Sequence, residues 1–149
     1  MNNFQHQHTA HCESGVMSTM LKAQGVNFNE AMVFGLASVL TFVYIPLVKV
    51  NGMPLISYRM PPKSIIKNVA KRLKVRLKIK KFRAPQAGQE ALDLALAENK
   101  LVGLQTSVFW LPYFPPEMRF HFNAHNLIVY GKEHNNYLIS DPVFETVQS

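Results

Sequence analysis

One cysteine, a few histidines and a few acids carry most of the chemistry open to this chain. Cys12 is the single cysteine among 149 residues. It stands in His11-Cys12-Glu13-Ser14-Gly15, just ahead of Val16, Met17, Met20 and Leu21. Those apolar residues recur at the three-to-four spacing of one buried helix face. A thiol in the first turn of that helix faces unpaired backbone N–H groups and the positive end of the helix dipole. Both favour thiolate, the nucleophilic form. Far downstream, His125 opens an apolar, strand-like run and Asp141 closes the next one. In such a set the cysteine attacks, the histidine holds the proton and the acid fixes the imidazole tautomer.

Each residue also has a plainer reading. Free cysteine is among the most buried residue types and is inert in most cores. A histidine at a strand end, or an Asp before Pro142, is often structural. His121 is a rival base four residues from His125. A His-x-x-x-His pair faces one site only on a helix, and this segment does not read as one, so His125 is preferred. His6, His8, His11 and Cys12 are metal-ligand types, but a zinc site usually draws on two separated pairs and there is no second cysteine. No metal and no cofactor is assigned. Trp110 and Tyr113, in the Pro-rich loop Trp110–Pro116, are candidate substrate-lining residues together with His121. Anchoring of that loop by core packing explains its aromatics equally well.

The elements that must position these groups follow from pattern. A second helix is expected around Asn29–Ala37, with Asn27 or Asn29 as N-cap and Glu30 in the first turn. Asn51-Gly52 between apolar runs predicts a hairpin of strands 42–50 and 53–59. Lys63–Leu73 reads as an amphipathic helix. Val75, Leu77 and Ile79 alternate with basic residues and predict a half-buried strand. Arg83–Gly88 reads as a loop, Gln89–Lys100 as a helix and Leu101–Phe109 as a buried strand. The runs 124–131 and 137–140 predict two strands. Paired antiparallel through a short turn, they bring His125 beside Asp141.

The chain is read as a single domain over 1–149, long enough for a real core. One cysteine permits no internal disulfide, and the N-terminus lacks the features of a signal peptide, which together predict a cytoplasmic protein. Ala31–Val48 carries no charge, but Gly35, Ser38, Thr41 and Pro46 interrupt it and its second half is strand-like. It is not read as a membrane span. The net charge is +7, no Asp or Glu lies between Glu30 and Glu90, and most Lys and Arg fall within 63–83. Such a face attracts anionic partners. Nucleic-acid binding wants aromatics among the charges, and only Phe82 is near, so neither nucleic acid nor membrane is assigned as partner.

Several motifs in order carry a family resemblance: His11-Cys12-x-Ser14-Gly15, Glu30-Ala31-Met32-Val33-Phe34-Gly35, Trp110-Leu111-Pro112-Tyr113, His125-Asn126-x-Ile128-Val129-Tyr130-Gly131 and Tyr137-Leu138-Ile139-Ser140-Asp141-Pro142. From about His11 onward the chain resembles the butirosin biosynthesis protein H N-terminal domain family, which is similar in fold to papain-like cysteine peptidases, especially bacteriocin-processing ones. The resemblance implies an α+β, papain-like fold, with N-terminal helices packed on an antiparallel sheet. It implies a cysteine-dependent acyltransferase that moves an acyl group from an acyl-carrier-protein thioester to an amine acceptor, with Cys12 as nucleophile, His125 as base and Asp141 as its orienting acid. Basic face 63–83 then suits an acidic carrier protein. A peptidase or amide hydrolase with the same triad, acting on a peptide, and a non-catalytic binding module retaining the fold are the alternatives. Papain-like enzymes usually place a glutamine oxyanion donor shortly before the cysteine. Gln7 and Gln5 are the candidates, and neither falls clearly at the expected offset. Family members commonly continue for another domain, so the chain is also read as the N-terminal half of a longer architecture.

Overall fold

The computed structural model describes residues 4–50, 52–121 and 123–149. Helix α1 (Cys12–Ala23) is followed by α2 (Glu30–Ala37), the hairpin β1 (Leu40–Val50) and β2 (Met53–Arg59), α3 (Ser64–Arg72), α4 (Pro85–Ala97), β3 (Val102–Thr106), β4 (His125–Glu133) and β5 (Asn136–Ser140). The class is α+β, with purely antiparallel sheets.

Two apolar clusters hold it together. Met17 and Leu21 of α1, Val33 and Ala37 of α2, and Ile65 and Val69 of α3 are all buried in the first. The second lies under α4, where Leu92 and Leu96 cover Leu104, Leu127 and Val129 of the sheet β3-β4-β5. Side chains alternate across a strand, so the residues between these face the other way. Gly103 pairs with Ile128 on that second face. A Cβ on Gly103 would meet Met20 Sδ at 3.1 Å and Val16 Cγ1 at 3.5 Å. The sheet is therefore covered by α4 on one side and by α1 on the other.

Local chemistry sets the helix ends. Asn29 caps α2, its side chain accepting from Met32 N at 2.8 Å. Pro85 opens α4, a position where proline's missing N–H costs nothing, so this helix starts four residues before the expected Gln89 and absorbs part of the expected loop. Helix α3 has no cap of its own, because Lys63 stands at its N-cap. Buried Glu13 supplies one from α1: its carboxylate accepts from Lys63 N at 3.0 Å and Ile66 N at 3.2 Å.

Three expectations are corrected. Residues 75–80 form no strand, and Val75, Leu77 and Ile79 are 39%, 43% and 49% exposed. Alternation is satisfied there, yet a strand also needs a neighbour for its backbone hydrogen bonds. The strand expected over Leu101–Phe109 stops at Thr106, because the Ser107 hydroxyl caps a short 3-10 turn, Val108–Trp110. The helix expected to reach Lys100 ends at Ala97. The hairpin forms, with Gly52 at φ +81°, while Asn51 lies outside the described residues. The uncharged run 31–48 divides between α2 and β1, and among the described residues no helix is long and apolar enough to cross a membrane.

Glu13→Ala strips two helix N–H groups of their acceptor and lowers stability by about 1–3 kcal/mol. Glu13→Gln, which keeps one acceptor oxygen, loses less. Urea denaturation of the two variants checks both the direction and the order.

Candidate active site

His11 is the N-cap of α1, with extended backbone, and Cys12 is the first helical residue. The Cys12 N–H is thus among the unpaired donors at the positive end of the helix. The approach to this turn is fixed on two sides. Glu30, from the first turn of α2, accepts from Ala10 N at 3.0 Å, from His11 N at 2.7 Å and from Ser14 Oγ at 3.1 Å. Thr9 N donates to Pro142 O at 2.7 Å, tying the incoming strand to the corner after β5. Gly15 lets α1 close on that corner: a Cβ there would sit 2.0 Å from Thr9 Oγ1 and 3.0 Å from Pro142 Cβ.

The sheet delivers the partners. Ile128 of β4 pairs with Ser140 of β5, so the first residue of β4 and the residue after β5 meet at one end of the hairpin. His125 Nε2 and Asp141 Oδ2 are 2.6 Å apart, with side chains 7% and 0% exposed. Both Asp141 oxygens accept: Tyr113 Oη donates to the same Oδ2 at 2.9 Å, and Val143 N donates to Oδ1 at 3.3 Å. Phe114 packs edge-on against the His125 ring, centroids 5.3 Å apart.

With Nε2 committed to Asp141, the other ring nitrogen is the one left for Cys12. Burial pushes the Cys12 thiol up. The His125 hydrogen bond, then the backbone N–H and side chain of Asn126, outweigh it and hold the thiol below its usual pKa. Burial likewise pushes His125 down, but its hydrogen bonds to Asp141 and Cys12 win, and its pKa is pushed up to about 9. Opposite shifts on two bonded groups favour thiolate beside imidazolium. Such a pair can attack a carbonyl carbon without first surrendering a proton to solvent.

The structure thus brings Cys12, His125 and Asp141 together from α1, β4 and the end of β5. The other sequence candidates each have their own surroundings. Trp110 is 71% exposed, and His121 stacks on Phe109 with centroids 4.0 Å apart; they form an aromatic surface cluster. Tyr113 lies behind Asp141, donating to it, rather than in an open cleft. Gln5 is exposed, and Gln7 lines a surface groove with Thr9, Asn27 and Glu30. Burial and the nearby Arg59 guanidinium hold His11, next to Cys12, below its ordinary pKa. Sequence reasoning missed Asn126, whose Nδ2 lies 3.8 Å from Cys12 Sγ. The signal was its place next to His125: alternation along β4 turns it toward the face that α1 covers.

The family model for the N-terminal region of butirosin biosynthesis protein H matches residues 11–142. This chain belongs to that family. The matched stretch opens on the cap of the Cys12 helix and closes on Pro142, so the family's shared sequence spans all three residues of the site. Comparison with curated proteins and with solved structures finds no match.

The His125 imidazole is expected to titrate near pH 9, read from its ring proton and carbon shifts by NMR. In Asp141→Asn the midpoint falls. Because the folded pKa lies above the ordinary value of about 6.5, this proton's contribution to folding stability is complete below that pH and is lost as pH rises toward 9.

Proposed function

We propose that this chain is a cysteine-dependent acyltransferase of papain-like type. In this reading it takes an acyl group from a carrier-protein thioester through acyl-Cys12 to an amine, in antibiotic biosynthesis of the butirosin kind. The observation that carries the reading is the buried 2.6 Å contact between His125 and Asp141, which leaves the other face of the ring to a thiol at a helix N-terminus. Membership of the butirosin biosynthesis protein H family supports the biosynthetic setting.

The chemistry runs in two halves. Cys12 Sγ, as thiolate, attacks the thioester carbonyl carbon, and the carbonyl electron pair moves onto oxygen. Collapse of that intermediate breaks the bond to the carrier sulfur, which leaves as thiolate and takes the proton from His125. His125, now neutral, accepts a proton from the attacking amine. The new C–N bond forms, the C–Sγ bond breaks, and thiolate and imidazolium are restored. Asp141 keeps the ring in place throughout and stabilises its charged form. Exchange of one thiol for another in the first half is close to balanced, which suits a carrier thioester as donor.

An acidic carrier protein has a matching surface. Lys67, Lys71 and Arg72 of α3 are exposed, and the segment 74–83 adds further Lys and Arg with no acidic residue among them. Complementary charge raises the encounter rate more than the affinity, and does so most at low salt.

The test is acyl capture. With the N-acetylcysteamine thioester of a short acid, intact mass should show one acyl adduct on the wild type and none on Cys12→Ala. Adduct formation on His125→Ala should be slower by about 10²–10⁴-fold. Added aminoglycoside should discharge the adduct as an amide. Discharge to water alone makes the chain a hydrolase, and adduct on Cys12→Ala overturns the assignment.

A further inference from the structure

Acyl transfer generates negative charge on the carbonyl oxygen, and a site built for it presents N–H donors where that charge appears. The Cys12 backbone N–H is one. Of the glutamines expected to supply a side-chain donor, Gln5 is exposed and Gln7 lines a groove with Thr9, Asn27 and Glu30. A different amide points at the nucleophile.

Asn126 is 3% exposed. Its Nδ2 donates to Ala124 O at 2.9 Å and approaches Cys12 Sγ at 3.8 Å. The first contact fixes the second. A carbonyl only accepts, so the Ala124 bond requires nitrogen, not Oδ1, on this side of the amide. One N–H is held by Ala124 and the other is free for the sulfur. The strand holds the amide from behind, since Asn126 pairs with Gln105 of β3 inside the sheet.

We infer that Asn126 is the side-chain oxyanion donor of this site: its amide N–H serves the Cys12 sulfur at rest and the carbonyl oxygen of the acyl group during transfer. This rests on the acyl-transfer reading above. When sulfur attacks, the carbonyl oxygen becomes a neighbour once removed, roughly 2.7 Å from Sγ by ordinary bond lengths. A donor already aimed at the sulfur reaches that oxygen by a small tilt. As Sγ passes from thiolate to thioester it becomes a poor acceptor, while the oxygen becomes a strong one. The N–H therefore moves from the weakening partner to the strengthening one. That is stabilisation specific to the transition state, the kind that raises a rate.

Two reactions separate the two roles. Iodoacetamide reacts with the thiolate and generates no oxyanion. p-Nitrophenyl acetate acylates the same sulfur through one. Both are followed on wild type, Asn126→Ala and Asn126→Asp, each compared above its own thiol pKa, with thermal melting to show that the variants fold. Asn126→Asp keeps the shape and removes the donor, which guards against a cavity effect in the alanine variant. The expected result is acylation about 10²–10³-fold slower in both variants, with the alkylation rate of the fully formed thiolate nearly unchanged. Acylation that stays within a few-fold of wild type, or falls only as far as alkylation does, overturns the proposal. Failure of the acyl-transfer reading looks different: wild type itself then fails to acylate at Cys12.

Discussion

A carboxylate with no exposed surface is the constraint on which the rest depends. Asp141 cannot be buried at acceptable cost unless its charge is matched and its lone pairs are filled. His125, Tyr113 and the Val143 N–H supply three donors to its two oxygens. Each partner in turn depends on a larger element. The β4–β5 register sets the distance between histidine and acid, the loop after β3 brings the tyrosine, and the turn after Asp141 brings the amide. Loss of any of the three leaves a buried charge short of a partner. The imidazole so fixed keeps one ring nitrogen free of the acid, and that nitrogen is the one left for the thiol at the start of α1.

The second requirement is that α1 arrive at this edge with its first turn intact. Glu30 from α2 and Thr9 from the preceding segment hold the entry. Gly15 removes the side chain that would otherwise keep the helix off Pro142. Glu13, one residue beyond the cysteine, caps α3. One helical turn therefore joins the helical cluster to the sheet and carries the proposed nucleophile between them. The charge of Glu13 is spent on the neighbouring helix, which leaves His125 and Asn126 to govern the sulfur.

Much of this was legible in the sequence. Cys12 at a helix start, the Asn29 cap with Glu30 behind it, the amphipathic α3 and the late pair of strands all follow from local pattern. Local pattern is what periodicity and capping rules read. The juxtaposition of His125 and Asp141 followed from antiparallel pairing alone. What was not legible depends on neighbours far along the chain. The Val75–Ile79 segment has a strand's alternation and no strand beside it. Leu101–Phe109 reads as one run rich in apolar residues, and only the Ser107 cap shows where pairing stops. Asn126 looked like a spacer within a motif, because nothing local says which face of β4 meets α1. Tyr113 looked like a pocket residue until its hydroxyl was found on Asp141.

The claim at the centre is that His125 activates Cys12. The most direct measurement is the pH dependence of iodoacetamide alkylation at Cys12, followed by intact mass, in wild type and His125→Ala. The account predicts an apparent thiol pKa in wild type below the free value of about 8.5, rising toward or above that value in the variant. An ordinary thiol pKa in wild type, unchanged by the substitution, would contradict it.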